Sequence, residues 1–270
     1  MDRVLEYEIP SEYDGANITT VLKRHFKIST NLIKDLKKYK EGIQVNGEHR
    51  RVVDFVAKGD ILKITIRDTA SENIVPTDIP LDIVYEDEDV LVINKPPNMP
   101  THPSMGNYEN SLANGVMYYY KSKGEERVFR AVNRLDKDTS GLMAVAKNSY
   151  IHARLGEEIQ KKELKRKYMC IVCGDVEHDG TVDAPIRRAD GSVINRIVAP
   201  DGQRAVTHYR VIKRYREYTL LEMELETGRT HQIRVHMAYI GHPLVGDWLY
   251  GTENHNIAKR QMSVSYTHLT

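Results

Sequence analysis

The chain has 270 residues, 40% of them hydrophobic, and its formal net charge at neutral pH is only +1. This length allows one large domain or two smaller ones, and the near-neutral balance excludes a chain that is basic throughout. Positive charge is concentrated locally instead, in 21–40, which holds seven Lys or Arg against Asp35, and in KKELKRK at 161–167. A nucleic-acid partner would therefore bind at patches and not over the whole surface.

The cysteines and the N-terminus indicate a protein of the reducing cytoplasm. Cys170 and Cys173 form CIVC inside an apolar run, and no second Cys pair completes a zinc site, so both are interpreted as strand residues. Two cysteines do not build a disulfide framework. The first residues, MDRVLEYEIP, lack the apolar core of a signal peptide, and no stretch approaches the roughly 20 apolar residues of a membrane span.

The first 68 residues predict a small α+β unit. Residues 1–10 alternate apolar and polar side chains and predict an edge strand, and 17–40 hold two amphipathic helical patterns, the second capped at Ser29. Short strands with Gly turns follow in GIQVNG (42–47) and KGDILKITI (58–66). The lysines that lie outside the apolar stripe of the second helix, and so remain for its solvent face, are Lys34, Lys37, Lys38 and Lys40.

A polar segment with prolines, 69–80, is interpreted as an interdomain linker, and a second domain runs from 81 to 270. This domain opens with the strands DIVY and VLVINK around an acidic turn at 86–89, which we expect to be a solvated hairpin tip. Prolines between 96 and 103 then force an extended loop, and a helix is predicted near 109–122.

The stretch richest in candidate chemistry is VNRLDKDTSGLMAVAKN at 132–148. Asp136 and Asp138 lie in a turn that leads into an apolar run, which predicts a buried strand. Three interpretations compete: a charged surface turn, a calcium loop, and a catalytic aspartate kept ionised by an arginine. An EF-hand calcium loop needs Glu at its twelfth position, where this chain has Lys147, so the calcium interpretation is discounted.

Strands and helices then alternate. A basic amphipathic helix at 150–162 precedes KRKYMCIVCG (165–174), a predicted strand that carries Tyr168. Residues 180–210 contain TVDAPIRR and RAVTHYRVI, which predict strands of the same sheet, with a hairpin between them.

The last block, LEMELETGRTHQIRVHMAYIGHPLVGDWLYG at 221–251, combines a strand, a turn at Gly228 and HQIRVHM in helical spacing. His231 and His236 are five residues apart with no general base between them, so the spacing argues against a zinc site.

These motifs resemble, in the same order, those of the RluA-type family of RNA pseudouridine synthases. NRLDKDTSG is similar to the family's HRLD and Thr-Ser-Gly turn, KRKY to its K-x-Y strand, and GRTHQIRVH with GHPLVGD to its last block. The resemblance extends from about residue 81 to about 251. The two small helices followed by GIQVNG resemble a divergent copy of the S4 RNA-binding module, and this resemblance implies that Lys34, Lys37 and Lys38 bind RNA rather than only forming a solvated helix face.

The resemblance implies an α+β fold: a small S4-like domain (1–68) and a catalytic domain with a mixed, mainly antiparallel sheet flanked by helices. It implies an isomerase that converts uridine in RNA to pseudouridine, because the C1′–N1 bond breaks, the uracil turns, and C5 bonds to C1′. Nothing is oxidised or added, so neither a cofactor nor a metal is expected. Large-subunit ribosomal RNA is the favoured substrate, transfer RNA is the second candidate, and the enzyme is expected to be a monomer.

The resemblance also assigns residues. Asp136 matches the catalytic aspartate, as nucleophile at C1′ or as base at the 2′ position, and Tyr168 matches the tyrosine placed against the target base. Arg234 is expected to pair with Asp136, with Arg229 as the second choice, and Arg134 resembles the arginine that fills the gap left by the flipped base. The other residues expected to bind substrate are Thr139, His231, Lys165 and Lys167.

The end of the chain departs from the family pattern. The family continues with roughly R-x-x-L-H-A and a further strand, whereas this chain reads AKRQMSVSYTHLT at 258–270. We therefore expect that the natural sequence is truncated or misjoined here. The sheet would then lack a strand, and the uracil pocket would lack an apolar wall residue.

Two other functions fit parts of the sequence. A non-catalytic RNA-binding protein would keep the basic patches and use Asp136 only structurally, yet the tyrosine and both arginines are present as well. A glycosidase would need a second carboxylate about 5–10 Å from the first and an aromatic-rich cleft, but the chain has one Trp and three Phe. The synthase is the preferred interpretation.

Overall fold

The structure, a computed structural model, describes residues 2–67, 74–251 and 258–266. The predicted linker lies partly outside these ranges, and so do the last four residues of the tail. Within them, no helix has both the length and the apolar character that crossing a membrane requires.

The α-helices of the described residues are α1 (Ile18–Arg24), α2 (Thr30–Leu36), α3 (Leu112–Ser122), α4 (Ser149–Gln160) and α5 (Gln232–Tyr239). The strands are β1 (Arg3–Glu8), β2 (Ile43–Val45), β3 (Glu48–His49), β4 (Ile61–Ile66), β5 (Ile83–Glu86), β6 (Val90–Lys95), β7 (Arg130–Ala131), β8 (Ser140–Ala146), β9 (Arg166–Cys173), β10 (Gly180–Asp183), β11 (Ile186–Arg188), β12 (Arg196–Val198), β13 (Val206–Arg214), β14 (Tyr218–Leu225) and β15 (Ser263–Ser265).

The N-terminal unit is an antiparallel sheet in the order β1-β4-β2-β3, with α1 and α2 packed on it. Strand β1 lies at the sheet edge, paired with β4, which confirms the predicted edge strand. Both predicted helices form, and the Ser29 hydroxyl accepts a hydrogen bond from the Leu32 amide at 3.2 Å, as an N-cap does. The apolar stripes of the helices meet Leu62 and Ile64 in a separate core. The likeness of this unit to an S4 module stays a prediction.

The second unit is built on one large sheet in the order β10-β13-β14-β9-β15-β8-β6-β5, with β7 paired to β8. Only the pairing of β15 with β8 is parallel among the described strands, so the sheet is mixed and mainly antiparallel, and the predicted α+β class is confirmed. Helix α3 buries Leu112, Val116 and Tyr120 in the core beside this sheet. The capping box of Ser111 and Asn114, both fully buried, begins that helix.

The tail contains a short strand that the sequence analysis did not predict. Ser263–Ser265 forms β15 between β8 and β9, and the absence of a further strand after it stays a prediction. Without β15 the facing edges of β8 and β9 would leave backbone groups unpaired inside the protein, which is unfavourable. The strand fits closely, because a side chain at Gly141 would lie 2.1 Å from the Ser265 carbonyl oxygen. The misjoining of the natural sequence stays a prediction.

The prediction that TVDAPIRR belongs wholly to the large sheet is wrong in its second half. Strand β10 pairs with β13 in that sheet, but β11 pairs with β12 in a separate two-stranded sheet. The separation has a packing reason, because Ile186 lies against Ala205 and Val235 of α5 in a small cluster of its own.

The two units contact each other through the acidic turn. Arg3 of β1 donates two hydrogen bonds of 2.9 Å to the Asp89 carboxylate and lies 3.0 Å from Glu88. The Tyr150 hydroxyl of α4 donates to the carbonyl oxygen of Phe26 at 3.0 Å. The acidic turn therefore contributes to the contact between the two units.

The same turn is not the solvated hairpin tip that the sequence suggested. The Glu86 carboxylate accepts hydrogen bonds from the buried Lys147 ammonium at 2.6 Å, from Lys123 at 2.9 Å and from the Tyr119 hydroxyl. Partial burial acts to raise the pKa of Glu86, but hydrogen bonds from Lys147, Tyr119 and Lys123 outweigh it and lower this pKa to about 2. The turn is thus joined to α3 and to the end of β8.

We predict that Glu86 makes the second unit sensitive to acid. Because its pKa is lowered from 4.5 to about 2, its carboxylate stabilises the fold above pH 4.5 and loses this effect as the pH falls toward 2. Glu86→Gln should lower the free energy of unfolding by up to about 3 kcal/mol near pH 7 and by less near pH 3. Urea unfolding followed by the fluorescence of Trp248, which lies in this unit, measures the difference.

The double variant Glu86→Gln with Lys147→Met is the control, because it leaves no buried ammonium without a partner. It should recover part of the lost stability. An effect of Glu86→Gln that is equal at both pH values would contradict the prediction.

Candidate active site

A cleft of about 530 Å³ lies at the aspartate loop. Its walls come from the proline loop after β6, the loop before β8, the start of β9 and the start of α5. The residues predicted from the sequence that line it are Arg134, Asp136, Thr139, Tyr168, Arg229, His231 and Arg234. The fold thus brings together side chains that are up to a hundred residues apart in the chain.

The backbone of the aspartate loop is fixed on both sides of Asp136. The buried Thr101 hydroxyl donates to the carbonyl oxygen of Leu135 at 2.9 Å and accepts from the Leu135 amide at 3.3 Å. The Thr139 amide donates to the carbonyl oxygen of Asp136 at 3.1 Å, which closes the turn. The Asp136 side chain itself remains 27% exposed to the cleft. A rigid backbone therefore presents a carboxylate that substrate can reach.

Lys95, the last residue of β6, forms hydrogen bonds to the backbone of this loop and of the proline loop. Its side chain is fully buried, and its ammonium donates to the carbonyl oxygens of Pro96 at 2.9 Å, Met99 at 2.7 Å and Lys137 at 3.1 Å. Burial lowers the pKa of Lys95 to about 8, while the carboxylates of Asp138 and Asp136 act in the opposite direction. One cation thus joins the proline loop to the aspartate loop.

Arg234 has two carboxylate neighbours, and the sequence identified only one of them. Its Nη1 lies 3.7 Å from Oδ2 of Asp136, but Nε and Nη2 donate to the carboxylate of Asp247 at 2.7 and 2.8 Å. Asp247 is fully buried and also accepts from the amides of Leu249 and Tyr250. Burial acts to lower the pKa of Arg234, but the hydrogen bonds to Asp247 outweigh burial and raise the pKa of Arg234. The guanidinium is therefore a fixed positive charge beside Asp136.

His231 and Tyr250 lie beside Arg234 and contact each other. Nδ1 of His231 lies 2.8 Å from the Tyr250 hydroxyl, and the guanidinium of Arg234 lies 5.0 Å from the centre of the Tyr250 ring. Burial lowers the pKa of His231, so the ring is neutral at physiological pH. His231 has φ of 59°, a strained left-handed conformation at the start of α5. A neutral His231 adds no positive charge beside Arg234.

Tyr168 lies in the middle of β9 and is 6% exposed at the cleft. Burial raises the pKa of Tyr168 to about 12, so the phenol stays protonated. Its ring is a flat surface in the cleft that contains Asp136, as a stacking partner for a base requires.

The side chains of Lys165 and Lys167 do not line the cleft, and their predicted contact with substrate stays a prediction. Both lie outside the cleft: Nζ of Lys165 is 3.1 Å from Glu224, and Nζ of Lys167 is 3.8 Å from Glu222. Side chains alternate along a strand, so the face that carries Tyr168 also carries Arg166. Arg166 lines the cleft, although sequence reasoning did not select it.

The other predicted residues differ in their solvent exposure and in their hydrogen-bond partners. Arg134 and Arg229 are exposed at the cleft. Thr139 is buried, and its hydroxyl contacts Ser263 and Gln261, both at 3.0 Å. Lys34 of α2 and the two lysines that follow the helix, Lys37 and Lys38, are exposed on the N-terminal unit and do not line this cleft. No cluster of three or more His, Cys, Asp or Glu able to hold a metal ion is present in the described ranges.

The cleft thus combines a partly exposed carboxylate, a fixed guanidinium and a buried tyrosine on a mainly antiparallel sheet. The model of the RNA pseudouridylate synthase family matches residues 89–239, more than half of the chain. This chain therefore belongs to the RluA-type family of RNA pseudouridine synthases. It is an isomerase whose substrate is RNA.

Individual relatives agree with this assignment. An uncharacterized RNA pseudouridine synthase of Bacillus subtilis, YjbO, is 44% identical over 87% of this chain and 84% of its own. The ribosomal large subunit pseudouridine synthase D of Escherichia coli is 49% identical over 65% of this chain and 54% of its own. The solved structure of human RNA pseudouridylate synthase domain containing 1 has a TM-score of 0.58, at 23% identity, over 70% of this chain and 78% of its own, and supports the fold. The non-catalytic alternative is not favoured by these relatives.

We predict that Asp247 controls activity through Arg234. Asp247→Asn keeps the shape of the side chain but removes the charge that holds the guanidinium, so Arg234 should shift with respect to Asp136. The kcat for pseudouridine formation in RNA from cells lacking the enzyme should fall on the order of 10- to 100-fold, with a smaller change in KM.

Asp175→Asn is the matched control, because it removes a carboxylate from an exposed pair with Arg214, outside the cleft. It should leave kcat unchanged. A folded Asp247→Asn variant with the kcat of the unmodified enzyme would show that Arg234 does not depend on Asp247.

Proposed function

We propose that Asp136 is the catalytic residue and acts on the ribose of a uridine that has left the RNA stack. The observation that carries this proposal is the position of its carboxylate, partly exposed in the cleft and 3.7 Å from Nη1 of Arg234. Both roles, attack at C1′ and removal of the proton at the 2′ position, need a carboxylate with free lone pairs. Because Asp247 occupies two donors of the guanidinium, Asp136 keeps such lone pairs.

The remaining cleft residues fit the requirements of a flipped base. Unstacking a uridine has a free-energy cost of roughly a few kcal/mol, which contacts in the cleft must offset. We propose that the ring of Tyr168 stacks on the uracil and that the exposed Arg134 fills the place that the base leaves. A phenol with a pKa of about 12 stays neutral and does not compete with Asp136 for a proton.

We infer that the substrate is ribosomal RNA of the large subunit. The support is the similarity to synthase D of Escherichia coli, whose name gives that substrate, over 65% of this chain. Transfer RNA is the second candidate. We also propose that the enzyme is a monomer of the cytoplasm, and its two free cysteines fit a reducing compartment.

Mapping of pseudouridines in total RNA tests the reaction, the substrate and the catalytic residue together. Cells that lack the protein are complemented with the unmodified gene or with Asp136→Asn, which keeps the size of the side chain. We expect at least one site to be lost, to return with the unmodified gene and to stay absent with Asp136→Asn, because an amide neither attacks carbon nor accepts the proton.

Restoration by Asp136→Asn would contradict the catalytic role of Asp136. A lost site in transfer RNA alone would contradict the ribosomal substrate but not the reaction. If no site changes in any strain, the chain has no synthase activity in these cells.

We also propose that the N-terminal unit binds RNA through the exposed Lys34 of α2 and the exposed Lys37 and Lys38 that follow this helix. Changing Lys34, Lys37 and Lys38 together to Gln should raise KM about tenfold and leave kcat nearly unchanged, since these residues lie outside the cleft. The slope of log affinity against log salt should become less steep by about 0.7–0.9 for each lost phosphate contact.

A second triple variant, Lys121→Gln, Lys213→Gln and Arg216→Gln, removes the same charge from exposed positions outside the cleft and the N-terminal unit. It should change KM and the salt slope much less. Equal effects of the two variants would mean that only net charge matters.

A further inference from the structure

Arg166 is a half-buried guanidinium for which no carboxylate partner is found among the described residues. Its Nη2 donates to the carbonyl oxygens of Glu226 at 2.9 Å and Leu225 at 3.4 Å, and its Nε is buried without any hydrogen-bond partner in the described part of the chain. A buried charged group normally has both a counter-ion and a full set of hydrogen bonds. The cleft therefore contains a cation that still lacks its anion.

A second guanidinium lies close by. Burial lowers the pKa of Arg166, and repulsion from Arg229 adds to this effect. Arg229 is exposed at the cleft, and the one hydrogen bond of its side chain within the described residues goes to the carbonyl oxygen of Arg204 at 3.0 Å. Glu226, three residues before Arg229 in the chain, directs its carboxylate to Lys162, Arg204 and His208 instead. Both guanidinium groups line the cleft, and among the described residues neither forms an ion pair with an acid.

Gly228 makes room for this arrangement. A Cβ atom at position 228 would lie 2.3 Å from Nη1 of Arg166, so any other residue would push the guanidinium away. The glycine does not have a left-handed φ, and the space for Arg166 is thus the feature that a side chain would remove.

We propose that Arg166 and Arg229 form a binding site for a phosphodiester group of the RNA, next to the target uridine. This inference rests on the proposed function and deepens it. Guanidinium groups bind phosphate through paired hydrogen bonds. Arg166 and Tyr168 are two residues apart on one face of β9, about 6–7 Å along the strand, and a single ribose can bridge that distance. A uracil stacked on Tyr168 therefore places one of its own flanking phosphates at Arg166.

Binding of uridine and its monophosphates to the full chain tests this site without any need for turnover. Uridine, uridine 5′-monophosphate and uridine 3′-monophosphate differ only in the phosphate, and ligand-detected NMR measures their affinities. We expect one monophosphate to bind the unmodified protein about tenfold more tightly than uridine, and the better monophosphate identifies the phosphate that is bound. In Arg166→Gln this advantage should disappear, while the affinity for uridine itself should change little.

Two further variants keep the proposal falsifiable if Arg166→Gln folds poorly. Gly228→Ala retains Arg166 but displaces its guanidinium, so it should lose the same advantage. Lys213→Gln removes an exposed charge outside the cleft and should keep the advantage. Thermal melting checks that each variant is folded.

The outcomes separate the two proposals. If neither monophosphate binds the unmodified protein better than uridine, or if folded Arg166→Gln and Gly228→Ala keep the advantage, the phosphate site is wrong. If the advantage depends on Arg166 although RNA mapping finds no pseudouridine made by this protein, the phosphate site stands and the proposed function fails.

Discussion

The buried ion pair between Arg234 and Asp247 is the interaction on which the cleft depends. An isolated guanidinium at this depth would be unfavourable by several kcal/mol, and Asp247 removes that cost with two hydrogen bonds of 2.7 and 2.8 Å. The arrangement also decides how Asp136 is held. Had Arg234 bound Asp136 with two hydrogen bonds, the oxygens of that carboxylate would be occupied; instead its one recorded contact with Arg234 is 3.7 Å long, which leaves lone pairs of the carboxylate free.

The periodicity of the sequence predicted most of the fold, because local apolar patterns decide where helices and buried strands form. The helices of the N-terminal unit, the apolar strand after the aspartate loop and the strand of Tyr168 are found where those patterns lie. Strand β15 has no such pattern. Ser263–Ser265 is a strand only because β8 and β9 offer two open edges, and the pairing comes from tertiary structure. In the same way, the packing of Ile186 against Val235 placed β11 outside the large sheet.

The cleft was predicted less completely, and the reasons are physical. Asp136, Tyr168 and Arg234 were selected because they match family motifs, and the fold places all three in one cleft. Asp247 was overlooked because its importance depends on burial and on a contact across thirteen positions. Lys95 was overlooked because its partners are three backbone carbonyl groups, and any residue type can supply a backbone carbonyl, so no sequence pattern indicates this contact. Arg166 could have been found, since strand alternation from Tyr168 selects it over Lys165 and Lys167.

The same alternation explains how a chain with a net charge of +1 can offer a positive cleft. On one face of β9 and β14, Lys167 lies opposite Glu224, and the acidic residues of β14 pair with the lysines there. On the other face Arg166 lies opposite Leu225, and its partners are carbonyl oxygens alone.

Exposed pairs cancel beyond a screening distance of about 8–10 Å at physiological ionic strength, whereas half-buried charges are screened much less. Lys165 and Lys167 therefore contribute little positive charge at a distance, because Glu224 and Glu222 lie beside them, whereas the half-buried Arg166 has no carboxylate partner among the described residues. An RNA would be attracted toward the wall beside Asp136 even though the chain as a whole is close to neutral.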